Sequence, residues 1–242
     1  MNFILNGIKI IILLGTLVFI HELGHFSIAK LFKVKVNEFS IGFGPKIWSR
    51  KGKKTKYSLR LIPLGGFVNM EGEEERSNKE GSFSEKGIIK RICIVAAGGI
   101  VNIIFALILY FGLVWYYNDL QSAFAGVKDF FISIFISLKM LFTGGVTVEQ
   151  MMGPVGISNV VSKTSGIADF VYIFSLISLS LGVTNLLPFP PLDGGKIVLL
   201  IIEAIRKKPL NQKIESYIQI IGFGILILLS LFITYNDIIR IA

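Results

Sequence analysis

The sequence predicts a membrane all-α core: four transmembrane helices, with a small membrane-associated β-hairpin or sheet between helices 1 and 2. Three observations carry this. The 242 residues are 52% hydrophobic, 20 of them Phe, and the mean hydropathy is +0.69, on the rich side of the roughly 45–50% apolar content of soluble domains. The excess is gathered into four long runs, each near the ~20 residues a bilayer requires. Between the first two runs lies a basic stretch with strand and turn signals. The net charge of +9, from 25 Lys and Arg against 16 Asp and Glu, in such a chain reports cytoplasmic loops and contact with anionic membrane lipid rather than nucleic acid.

The first run, Phe3–Leu31, lacks the basic start and small-residue cleavage site of a signal peptide and reads as a retained helix. From Lys33 to Arg91 the chain is charged. Within it, Lys35–Trp48 and Tyr57–Met70 read as strands around the basic turn SRKGKKTK, giving a β-loop over about 33–70, with Gly and Pro marking its bends. Glu71–Arg76, with its EGEEE run, and the residues up to Gly81 read as solvated loop. The second and third spans are Ile92–Tyr116 and Asp169–Pro188, and the fourth is Ile214–Tyr235. Between spans two and three, Tyr117–Gly126 reads as a short connection. The next segment, Val127–Phe142, is apolar but short and carries Lys128 and Lys139. It is expected at the interface or as a re-entrant element, not as a fifth span. The only cysteine, Cys93, excludes an internal disulfide and a multi-cysteine metal site, and is expected as a small buried residue. Residues 1–242 are expected to form a single integral-membrane domain.

Orientation follows from the basic loops. Lys33–Arg91 and the connection carrying Arg206, Lys207, Lys208 and Lys213 belong in the cytoplasm, which puts both termini outside.

The chemistry sits in the first span. His21, Glu22 and His25 form H-E-x-x-H and include both histidines of the chain. On a helix, residues i and i+4 share a face, a spacing that lets two imidazoles hold one Zn²⁺. Glu22, one position along, suits a base that handles water without binding the metal. Ionisable groups are costly within a bilayer and mark function. A catalytic zinc takes three protein ligands and keeps one position open, so the third ligand is a carboxylate or Cys93. Spans one and three run the same way, so Asp193, in NLLPFPPLDGG after span three, reaches the depth of His21 and His25. Asp119, Asp169 and Asp237 fall at outer ends, Glu203 reads as a surface residue, and Cys93 stays open on depth alone. Pro188, Pro190 and Pro191 stop the helix, and Gly194 and Gly195 are expected to let the chain turn. Asp193 could equally be the cap of a following helix, Lys196–Ile205; beside the histidines, the ligand reading is favoured.

HELGH at 21–25 together with NLLPFPPLDGG at 185–195 resembles the site-2 proteases, as do GFGP at 42–45, IPLGGFV at 62–68 and GPVGI at 153–157. The likeness is nearest to the bacterial branch that cuts anti-sigma factors. It implies an intramembrane zinc metalloprotease of the bacterial inner membrane, with its active site near the cytoplasmic face, that hydrolyses a peptide bond in or near the transmembrane segment of a single-pass protein. It implies His21, His25 and Asp193 as Zn²⁺ ligands, Glu22 as catalytic acid/base, and Asn185 as a holder of the substrate backbone. It also implies Tyr57–Met70 as the strand that receives substrate, with Gly65 and Gly66 at its bend. One departure stands out: between spans two and three there is no segment the size of the PDZ domains usual in that branch. A metal transporter or a non-catalytic membrane scaffold could use the same polar cluster. Polar residues confined to the inner half of the bilayer weigh against the first, and the presence of Glu22 against the second.

Overall fold

The computed structural model describes residues 2–145 and 152–241. The element order is α1 (Asn2–Leu31), β1 (Val36–Lys51), β2 (Lys56–Met70), α2 (Ile88–Tyr117), α3 (Leu120–Phe142), α4 (Pro154–Ser162), α5 (Ile167–Asn185), α6 (Asp193–Arg206) and α7 (Gln212–Ile241). Among the described residues, four segments are long and apolar enough to cross a membrane: Asn6–Leu31, Ile88–Tyr117, Ile167–Asn185 and Gln212–Arg240. The third ends at Asn185, short of the expected Pro188, because the prolines that follow cannot continue it. Helix α3 is not among the four, as its two lysines foretold, but it is longer than expected. Asp119 caps it, its carboxylate accepting from the Ser122 N–H at 2.7 Å. The stretch expected as a plain connection up to Gly126 is therefore largely helical.

The chain forms two compact units. One comprises Ile11–Asn102 and Leu181–Gly222. Its core gathers Ala29, Val36, Phe39, Val68, Ile94 and Leu200 from α1, the sheet, α2 and α6. Where α1 meets α2, a Cβ on Gly24 would stand 2.6 Å from the Ala97 carbonyl oxygen. Two backbones approach this closely only where side chains are missing. Ala97 and Gly98 thus set the contact between the two helices.

Strands β1 and β2 pair antiparallel around a turn in which Gly52 N–H donates to the Thr55 carbonyl at 2.9 Å. Both strands bend, at Gly42 (φ +86°) in β1 and at Gly65 (φ +121°) in β2, backbone angles that favour glycine. The bends double the pairing: Phe39 lies opposite both Val68 and Tyr57, and Ser40 opposite both Phe67 and Ser58. Gly66–Met70 is left as an outer edge. The near half of β1 is buried, whereas the far end of the hairpin exposes Ile47, Trp48 and Leu61, an apolar surface suited to lipid. Glu38 holds the bend together, accepting from Ser58 at 2.7 Å and pairing with Arg60 at 3.1 Å and Lys46 at 3.2 Å.

The second unit comprises Met1–Ile10, Ile103–Ser180 and Phe223–Ala242. Tyr110 stacks on Phe130 at 4.3 Å, and Phe105 meets Phe174 edge-on. Asp237 of α7, fully buried, accepts from the backbone N–H groups of Gly153 and Gly156 at 2.9 and 2.7 Å. An anion is favourable at the start of a helix, and this one secures α4 and the GPVGI segment.

Candidate metal centre

One turn of α1 puts His21 and His25 side by side, their Nε2 atoms 3.2 Å apart. Asp193 opens α6 and places Oδ2 3.3 Å from His21 Nε2 and 3.4 Å from His25 Nε2. Zinc bonds to histidine nitrogen and carboxylate oxygen of about 2.0–2.2 Å in tetrahedral array separate neighbouring ligand atoms by about 3.3–3.5 Å. The observed triangle has that size. These three are also the group of His, Cys, Asp and Glu that could hold a metal ion among the described residues. Asp193 Oδ2 is buried and accepts no hydrogen bond, a position that calls for a cation. Burial pushes the Asp193 carboxyl up, and the two imidazoles pull it further down, to about 2. It therefore stands ionised, as a ligand must be.

Two features of the sequence reading change here. Asp193 is not spent as a cap: the residue before the helix is Leu192, with no side-chain cap bond, and α6 begins at Asp193, three residues ahead of expectation. Nor do Gly194 and Gly195 make a turn. Both are helical, and what they supply is space, since a Cβ on Gly194 would lie 2.2 Å from the carbonyl oxygens of Leu186 and Leu187. The proline-rich loop folds back onto the first turn of α6 through that gap.

The far nitrogens of the two imidazoles are held by α2. His25 Nδ1 lies 2.8 Å from the Ile94 carbonyl oxygen. Because a carbonyl only accepts, Nδ1 carries the proton, which leaves the Nε2 lone pair able to bind a metal. His21 Nδ1 lies 3.4 Å from the Asn102 amide. Between these two contacts, a Cβ on Gly98 would meet His25 Nε2 at 2.3 Å, so the rings lie directly on bare backbone. The sequence predicts this helix as the second span but gives it no role at the centre. Its signal was AAGG followed by Asn102, small and polar residues in a span of bulky ones.

The centre opens into a cleft of about 740 Å³ lined by His21, Glu22, His25, Gly66 and Asp193. Gly66 on β2 passes over Glu22: a Cβ there would stand 2.9 Å from Glu22 Cγ and 2.8 Å from the Ser40 carbonyl oxygen. Phe67, Val68 and Met70 continue the lining, so the sheet's outer edge borders the centre. Gly65 supplies the bend itself, and its missing Cβ makes room for the Phe43 ring. Asn185, half-buried at the end of α5, is not part of the cleft lining.

Two carboxylates expected at the wet surface, Glu73 and Glu203, form ion pairs within this unit. Glu73 pairs with Lys196 at 2.6 Å, while Glu74 and Glu75 rim the cleft. Glu203 is no surface residue: it takes Arg91 at 2.5 Å and Arg76 at 3.2 Å. These pairs anchor α6, the helix that presents Asp193. Cys93, expected buried, is exposed and lies outside the ligand cluster.

The chain as a whole is similar to known proteins. The family model described as peptidase family M50 matches residues 9–229. A protein of Clostridium acetobutylicum, provisionally named a zinc metalloprotease, is 28% identical over 330 residues, covering 97% of this chain and 97% of its own. A similarly named protein of Fusobacterium nucleatum is 29% identical, covering 94% and 97%. The regulator of sigma-W protease RasP of Bacillus subtilis is 26% identical over 420 residues, covering 99% of each chain.

Proposed function

The chain belongs to peptidase family M50, the site-2 proteases, and on that premise we propose that His21, His25 and Asp193 hold its zinc and that Glu22 moves the proton. It is a multi-pass membrane protein and an intramembrane zinc metalloprotease of regulated intramembrane proteolysis. The single observation behind the ligand set is the triangle of donor atoms at 3.2, 3.3 and 3.4 Å.

When bound, zinc supplies Lewis acidity, polarising the scissile carbonyl and bringing the pKa of water towards ~7. The rest falls to the chain. Glu22 lines the cleft beside His21; its carboxylate accepts a proton from the attacking water and returns it to the leaving amine. A helical substrate hides its carbonyls and must be extended first. The Gly66–Met70 edge pairs with β1 on one side only among the described residues, and its free groups take up the unwound backbone as an added strand. Gly65 and Gly66 set the bend that keeps this edge against Glu22.

The substrate we propose is a single-pass, anti-sigma-factor-like membrane protein; the name of the Bacillus subtilis relative supports this. The active site faces the cytoplasm and both termini lie outside, supported by the basic loops flanking the centre. The chain is one proteolytic domain with no PDZ domain. Alignments of 330 and 420 residues against a chain of 242 support this, since the relatives carry residues absent here.

The test is co-expression of a single-pass substrate with wild type and with Glu22→Gln. Loss of cleavage with zinc retained is expected; unchanged processing overturns the assignment of Glu22.

A further inference from the structure

The two imidazoles of the centre differ in what holds their far nitrogens. For His25 the partner is a backbone carbonyl, that of Ile94, which fixes the proton on Nδ1. For His21 it is a side-chain amide, Asn102, whose nitrogen stands 3.4 Å from Nδ1. An amide nitrogen donates. If it did so here, Nδ1 would carry the lone pair and Nε2 the proton, and Nε2 could not bind a metal. Zinc binding through Nε2 therefore requires an acceptor at this place. The two ends of a side-chain amide fill nearly the same space, so half a turn about its last bond presents Oδ1 instead.

We propose that Asn102 is the positioning residue of His21: its side-chain carbonyl accepts the Nδ1–H, fixing the tautomer and the plane of the ring. This rests on the reading of His21 and His25 as zinc ligands. Asn102 is fully buried in a helix whose neighbouring residues are Val101, Ile103 and Ile104, where a polar group is costly unless bonded. It follows Ile94 by about two helical turns, with Gly98 midway between them. Helix α2 thus carries both supports on one stripe, a backbone carbonyl for one ring and an amide for the other, with bare backbone where the rings lie.

The test uses the full chain in detergent and measures zinc affinity by chelator competition, with the visible absorption of the cobalt-substituted protein as a second readout. Asn102→Leu keeps the volume and removes the acceptor; Asn102→Asp keeps an acceptor. The leucine variant is expected to bind zinc about 10–100-fold more weakly with an altered cobalt spectrum, and the aspartate variant to bind at least as tightly as wild type. Wild-type affinity in the leucine variant overturns the proposal. So does equal weakness of both variants when each unfolds at the wild-type temperature. Should the leucine variant not fold, the aspartate variant decides alone: retained affinity supports an acceptor role and lost affinity overturns it. His21→Ala run alongside separates the two levels, because undiminished zinc binding there defeats the ligand assignment itself.

Discussion

Gly98→Ala puts one methyl group where the two imidazoles converge. The added Cβ would stand 2.3 Å from His25 Nε2 and 2.7 Å from His21 Cε1. Ordinary van der Waals contact needs about 3.5 Å, so His25 must retreat by roughly 1 Å and His21 by nearly as much. A metal site tolerates displacements of only about 0.2 Å. Disturbing a group that merely supports a ligand costs 10–100-fold in metal affinity; moving two ligands is expected to cost at least the upper end, about 100-fold. The fold should not suffer in proportion, because Ala in a helix is favoured over Gly by up to about 1 kcal/mol. The assay is zinc per chain at fixed chelator activity, together with thermal unfolding of the metal-free protein. Gly112→Ala on the same helix, with nothing within 4 Å of its Cβ, serves as the control that keeps its zinc. Folded Gly98→Ala protein binding zinc as tightly as wild type would refute the placement of the rings on α2.

Three further outcomes follow from the same coordinates. Gly66→Val crowds both Glu22 Cγ and the Ser40 carbonyl; turnover of a model substrate should fall more than about 10-fold with zinc content unchanged, and full activity would show that β2 does not bear on Glu22. Glu203→Gln leaves Arg91, whose side chain is 9% exposed, without its carboxylate, and should cost about 3 kcal/mol. Removing the exposed Lys79 partner of Glu71 should move the unfolding midpoint little, so equal effects would contradict the burial argument. The third concerns pH. Burial pushes the Glu38 carboxyl up, but hydrogen bonds from Ser58, Arg60 and Lys46 outweigh it and hold the carboxyl below its ordinary 4.5. Stability from a depressed carboxylate is present above the ordinary value and lost as pH falls through the folded one. Glu38→Gln should therefore lower the unfolding temperature near pH 7 and leave it unchanged near pH 2; equal losses at both would exclude ionisation as the source.

What the sequence made legible was local or periodic. His21 and His25 announce a shared face because one helical turn separates them, and the spans show through length and hydropathy. Asp193 lies far along the chain, yet counting membrane crossings brings it to the depth of the histidines. The supports of the centre left weaker traces. A backbone carbonyl such as that of Ile94 has no residue signature. Gly98 and Asn102 gain meaning only once α2 lies against α1. Gly194 and Gly195 look like turn residues in sequence, but in the fold they are gaps that admit the Leu186 and Leu187 carbonyls. Glu73 and Glu203 read as wet surface because their partners, Lys196 and Arg91, sit more than a hundred residues away. Propensity could not separate a capping Asp193 from a ligating one, since both begin a helix; in the fold its Oδ2 stands against two imidazole nitrogens, which supports the ligand reading.

The most direct measurement is anomalous diffraction at the zinc edge from crystals of the full chain. One peak is expected, about 2.0–2.2 Å from His21 Nε2, His25 Nε2 and Asp193 Oδ2. A metal held by other side chains, or His21 and His25 bound to zinc with Asp193 turned away, would contradict the account.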